Sequence, residues 1–125
     1  MNVKIDTKEK FTVISPLEAT LTAIMTAELG DMLLFYLQKD IPHLVLQMNA
    51  VHTLDDAAAS TIAAIQHSFY ENNCSMVICG LAPGIEQQLD QLELLELMNV
   101  TPTESEAWDI VQMEAIEREL LGGEE

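Results

Sequence analysis

The chain predicts an α/β fold: one domain with a four- to five-stranded mixed sheet, about four helices packed on it, and an antiparallel hairpin at the N-terminal end. Three observations carry this expectation. Two short extended runs, residues 3–6 and 11–15, are separated only by the polar Thr7-Lys8-Glu9-Lys10. Beyond them, strand runs alternate with segments of helical period, which calls for a mostly parallel sheet. Two of the later runs, residues 44–48 and 76–79, are almost continuously apolar, as central strands covered on both faces are. A length of 125 residues suits one domain with a real core.

Taken in order, Val3 and Ile5 alternate with Lys4 and Asp6, a half-buried strand. Phe11, Val13 and Ser15 alternate with Thr12 and Ile14 in the next, and Pro16 ends its pairing or bulges it. No Asn-Gly or Asp-Gly marks the hairpin, so its turn type is open. From Thr22 or Ala23 the period changes, and Met25, Leu29, Met32 and Tyr36 share one helical face. Residues 32–37 are apolar all round, which asks for cover on more than one side, from a second helix of the domain or from a partner. Lys39, Asp40 and Pro42 close that helix. After the 44–48 strand, a helix from Ala57 to about Asn72 turns Ala58, Ile62, Ile65 and Phe69 inward, and Asn72 and Asn73 suit its end. Gly80 ends the 76–79 strand, and Pro83 fits the first turn of a helix bearing Ile85, Leu89 and Leu92. Leu94, Leu95, Leu97 and Met98 exceed what one stripe needs. Residues 99–102 read as a short extended piece. Thr103 with Glu106 forms a capping box that opens a last helix, where Trp108, Val111, Met113, Ala115, Ile116 and Leu120 make a broad apolar surface. The domain is expected over residues 1–121, with 122–125 a flexible tail.

Composition narrows the function. There are 21 acidic residues against 5 basic ones, a net charge of −16. Phosphate backbones and anionic lipid surfaces would repel such a chain, which argues against nucleic-acid binding. A basic protein surface is the natural complement. No window reaches the ~18 or more uncharged apolar residues a membrane helix needs, so direct membrane insertion is not expected. The start, Met-Asn-Val-Lys-Ile-Asp, lacks the apolar core of a signal peptide, and a cytoplasmic location is the expectation. Cys74 and Cys79 flank a strand and read as buried thiols, five residues apart and unable to bridge. His43, His52 and His67 share no metal-ligand spacing with each other or with the cysteines, so no metal site and no cofactor are expected.

An enzyme is not indicated. There is no nucleophile elbow, no phosphate-binding glycine loop and no dinucleotide fingerprint. Gly80-Leu-Ala-Pro-Gly84 lacks the lysine such a loop needs. A phospho-accepting receiver would need an acidic pair after the first strand and an acceptor Asp after the third; Asp6 is alone, and Gln47-Met48-Asn49 ends the third. What stands out is Val51-His-Thr-Leu-Asp-Asp-Ala-Ala-Ala-Ser-Thr61, where Asp55 and Asp56 sit at a loop-to-helix junction. Helix N-termini favour negative charge, and Asp is a preferred N-cap, so these acids could do no more than start the helix.

The same stretch resembles the signature segment of STAS domains, the family named after sulfate transporters and anti-sigma factor antagonists. Val51, Leu54 and Asp55 match its apolar and acidic positions, while Asp56 and Ala57 stand at its two hydroxyl positions and Ala58 at its glycine position. The order of strands and helices from Val3 to Val111 is also similar. The resemblance implies a single STAS-like domain and a non-catalytic, protein-binding role like that of an anti-sigma factor antagonist, with a kinase-like anti-sigma factor as the partner. In that family a Ser or Thr at the helix start takes a phosphoryl group, whose charge blocks docking. With Asp56 and Ala57 there, that switch is expected to be missing. Asp55, Asp56, Ala57, Ala58 and Ser60 are the candidate partner-binding region. Ser60 and Thr61, expected to be partly turned inward or capped by neighbours, are the remaining candidate phosphate acceptors. The runner-up is a structural or accessory STAS subunit of a larger complex, a signalling scaffold or a lipid-transport system, for which homo-oligomers and permanent apolar interfaces would follow.

Overall fold

The computed structural model describes residues 1–122. Strands β1 (Val3–Thr7) and β2 (Thr12–Pro16) form the expected hairpin, closed by the Lys8 N–H donating to the Phe11 carbonyl at 2.8 Å. The two-residue strand β3 (Thr20–Leu21) leads into α1 (Ala23–Phe35), which ends in a 3-10 turn at Tyr36–Gln38. Then come β4 (Leu44–Gln47), the two-residue β5 (Thr53–Leu54), α2 (Asp56–Glu71) and β6 (Met76–Cys79). Helix α3 (Pro83–Gln91), a 3-10 turn at Leu95–Leu97, the short β7 (Val100–Thr101) and α4 (Glu104–Gly122) complete the chain. Gly122 therefore belongs to a helix; the rest of the expected tail lies outside the described residues.

The main sheet has five strands in the order β1-β2-β4-β6-β7, antiparallel at the hairpin and parallel elsewhere. The fold class is thus the one expected, with four helices. Alternation along β2, β4 and β6 divides two layers. Ile14, Leu44, Leu46, Met76 and Ile78 pack with the buried residues of α1, α2 and α3. Val13, Val45, Val77 and Cys79 turn the other way, onto Ala107 and Val111 of α4, with Phe11 stacked on Trp108 at 4.6 Å.

Two expectations shift. β2 is buried at every position, not at alternate ones, because it lies between β1 and β4 with helices over both faces. In α1 the inward face is Thr26, Leu29, Gly30 and Leu33. Met25, Met32 and Tyr36 border it half-buried, since α2 packs directly on Gly30, where a Cβ would come 2.9 Å from Ile65 Cδ1. The inward face of α2 (Ala58, Ile62, Ile65, Phe69), the positive φ of Asn73 at its end, Pro83 at the start of α3 and the Thr103–Glu106 capping pair all stand as expected.

A half-buried polar cluster locks α4 to the rest. Glu114 Oε1 accepts from the Tyr70 and Ser75 hydroxyls at 2.8 and 2.7 Å, and Oε2 accepts from Asn99 Nδ2 at 2.9 Å. Arg118 Nη2 donates to the Ser75 hydroxyl at 2.9 Å, and the Ser75 N–H donates to His43 Nδ1 at 3.1 Å. Burial and the neighbouring Glu114 push the Tyr70 phenol well above its ordinary range. Burial, with the Arg118 charge beside it, holds His43 below its ordinary value.

Candidate partner-docking site

The entrance to α2 is positioned by a device that runs between two helix starts. β3 and β5, each reading Thr-Leu, pair in parallel outside the main sheet, with Thr20 opposite Thr53 and Leu21 opposite Leu54. The two Thr hydroxyls are 2.7 Å apart and face solvent, while Leu21 and Leu54 are buried. The Asp55 N–H donates to the Leu21 carbonyl at 3.1 Å, continuing the ladder to the first residue of the junction. Both α1 and α2 therefore begin side by side.

Asp55 occupies the N-cap position of α2 in an extended conformation, yet its side chain does not cap α2. Its Oδ2 instead accepts the N–H of Ala23, the first residue of α1, at 3.2 Å. The expectation that it starts its own helix is corrected on this point: a free N–H of a neighbouring helix competes for the carboxylate. Asp56 lies in the first turn of α2, where the helix dipole favours it. Its Oδ1 accepts from Gln88 Nε2 of α3 at 2.7 Å, and the same amide donates to the Leu54 carbonyl at 2.7 Å. Three helices thus meet around two carboxylates.

Asp55, Asp56, Ala57 and Ser60 are exposed. Ala58 is fully buried, as is Ala59, so these two form the floor on which the entrance packs and offer no surface for contact. Ser60 departs from expectation: it faces solvent, one helical turn from Asp56 on the same side. Thr61 is half-buried and its hydroxyl donates back to the Ala57 carbonyl at 3.0 Å. From Ser60 a groove of about 570 Å³ runs along α2 past Ala64 and His67 to Leu97 and Met98, residues the sequence showed only as an apolar excess.

Gln88, Thr20 and Thr53 were not among the residues singled out from the sequence. The repeated Thr-Leu before α1 and α2 is the one feature of the sequence that could have pointed to the second ladder. Gly80, after β6, has φ +73°, and a Cβ there would overlap the Asn49 side chain, so the loops after β4 and β6 touch directly. Cys74 and Cys79 are buried and unpaired with each other, and burial pushes the Cys79 thiol up to about 11. Among the described residues, no cluster of three or more His, Cys, Asp or Glu is placed to hold a metal ion, and no helix is long and apolar enough to cross a membrane.

Comparison with known proteins gives the same frame. No curated protein matches the chain. RsbS of Moorella thermoacetica, in a serine-to-glutamate variant, is similar in structure with a TM-score of 0.77 at 19% identity, over 92% of this chain and 98% of that one. A candidate anti-sigma factor antagonist of Thermotoga maritima gives 0.77 at 16% identity, over 88% and 94%. An anti-sigma factor antagonist (STAS) domain protein of Planctomyces limnophilus gives 0.73 at 16% identity, over 90% and 97%. At such identities the likeness is one of fold. A family model for the STAS domain matches residues 2–107, which includes every strand, the first three helices and the whole α2 entrance. The chain belongs to the STAS domain family.

Proposed function

We propose that the protein is a non-catalytic interaction module of the anti-sigma factor antagonist kind, that its docking surface is the entrance of α2, and that it works without the Ser/Thr switch at that entrance. One observation carries the reading: Asp55 and Asp56 are exposed at the junction of three helices, each already held by a neutral donor of its own chain. Carboxylates fixed in this way present charge to a partner; they are poorly placed to trade protons with a substrate. A side chain at position 56 carries about one negative charge where a phosphoserine would carry about 1.5 to 2. The net charge of −16 suits a partner with a basic docking face, and the cytoplasm is the compartment in which such a regulator acts.

The test uses the kinase-like anti-sigma factors encoded in the same genome, mixed with the protein and ATP. No phosphoryl transfer to the native chain is expected, whereas Asp56→Ser becomes labelled at position 56. Asp56→Lys is expected to change affinity for the partner by about tenfold or more, well beyond a charge reversal at Glu86. Stoichiometric label on the exposed Ser60 of the native chain would overturn the switchless reading. Unchanged binding by Asp56→Lys would place the docking surface elsewhere.

A second reading, a structural STAS subunit, is favoured by one specific feature: Leu97 is 80% exposed beside the groove along α2. Sedimentation separates the two. A stable oligomer lost in Leu97→Asp supports the structural role, and a monomer supports the transient regulator.

A further inference from the structure

α4 is apolar on two opposite sides. Its inward side carries Ala107 and Val111 on the sheet and, further along, Glu114 and Arg118 in the half-buried polar cluster. At 100° per residue, Met113, Ile116 and Leu120 fall on the side away from the sheet. They are 56%, 57% and 71% exposed. Rotating α4 to bury this stripe would pull Glu114 and Arg118 out of their hydrogen bonds, so the cluster holds the stripe outward. Glu117 and Glu119 flank the stripe and Asp109 lies in line with it, one turn before Met113; all three are exposed. The one basic residue of α4, Arg118, is turned inward to Ser75, so the outer side of the helix bears only acidic charge.

We propose that this outer stripe of α4 is a second docking surface, on the opposite layer from the α2 entrance, and that it takes a basic amphipathic helix of a protein partner. Three apolar residues spaced i, i+3, i+7 are the half of a helix–helix contact that a helix supplies. The acidic flanks select the occupant. A second copy of this chain would set Asp109, Glu117 and Glu119 against the same residues of its mate, whereas lysines or arginines flanking an apolar stripe would pair with them. An anionic membrane surface is opposed by the same charges. The inference does not depend on the α2 entrance being a docking site.

Trp108, the single tryptophan, lines with Ile116 a groove of about 370 Å³ beside the stripe and serves as a local reporter. The probe is a synthetic Leu/Lys amphipathic peptide of roughly 18 residues, five helical turns, without tryptophan. Titration is expected to shift the Trp108 emission, with affinity falling as salt rises. In Ile116→Asp/Leu120→Asp the affinity weakens by about tenfold or more, while Ile24→Asp, at a still more exposed position on α1, leaves it unchanged. Circular dichroism checks that the double variant is folded. The proposal is overturned if the peptide does not bind, if the double variant binds as well as the native chain, or if a peptide with Glu for Lys binds equally. It is also overturned if the native chain sediments as a dimer that Ile116→Asp converts to a monomer, since the second copy is then the occupant.

Discussion

His43 accepts a hydrogen bond at Nδ1 from the Ser75 N–H, so protonating that nitrogen breaks the bond. Half burial and the Arg118 charge hold its folded-state value below the ordinary 6.5. A group held low in the fold takes up its proton more readily in the unfolded chain. Its contribution is complete above about pH 6.5 and is lost as pH falls through the folded-state value. His43→Gln offers an acceptor that does not titrate, so the loss of melting temperature between pH 7 and pH 5 is expected to be smaller in this variant than in the native protein. At Gly80 the backbone itself decides. Gly80→Ala places a Cβ at φ +73° and against Asn49, and denaturant unfolding should show a loss of about 1–3 kcal/mol. Residues of this kind were legible only in part. Gly80 ended a strand in the sequence by its type, but its collision with Asn49 depends on two loops 31 positions apart lying together. Asp55 was legible as a helix-start residue and not as the acceptor for Ala23, because α1 and α2 become neighbours only through the β3–β5 ladder.

At the scale of elements, the periodic signals held where one face of a helix meets one surface. α2 is the clear case: it covers the sheet with Ala58, Ile62, Ile65 and Phe69 and exposes a polar side. They blurred in α1, where Gly30 lets Ile65 of α2 approach and draws the inward face round to Leu33. They blurred again in α4, whose two apolar sides read in sequence as one broad surface. What fixes the rotation of α4 is polar. Glu114 receives three hydrogen bonds, from α2, from the residue before β6 and from the segment before β7. Glu114→Ala would leave the Ser75 and Tyr70 hydroxyls and the Asn99 amide without that acceptor, and a loss of roughly 3 kcal/mol is expected from urea unfolding. Glu114→Ala/Arg118→Met, which also removes the buried cation, should recover part of that loss. Such a cluster has no periodic signature, and Ser75, Asn99 and Glu114 looked unremarkable in the chain.

The whole molecule carries an excess of negative charge that few internal partners offset. Among the described residues the ion pairs are Lys8–Asp6 at 2.9 Å and the N-terminal amine with Glu28 at 4.0 Å, with His67 set 3.7 Å from Glu71. Self-repulsion of this size weakens the compact state and is screened by salt. The melting temperature is therefore expected to rise as sodium chloride increases from about 0.02 to 0.5 M, with most of the rise complete once the Debye length is near 8 Å. A protein held by surface ion pairs would show the reverse. This charge balance was fully legible in the composition, and the order of the main-sheet strands and the helices in the sequence pattern; the two-residue β3 and β5 were not, because they exist only by pairing with each other across 33 positions.

The bond from the Ala23 amide to Asp55 makes the α2 entrance a lock with its own tell-tale. A cation that competes for Oδ2 of this carboxylate weakens its hold on α1, and the loosened Ala23 amide would then exchange its proton with water more quickly. The amide of Asp55 itself, tied to Leu21, stays shielded throughout. Occupancy of one helix is thereby written into the exchange rate of another.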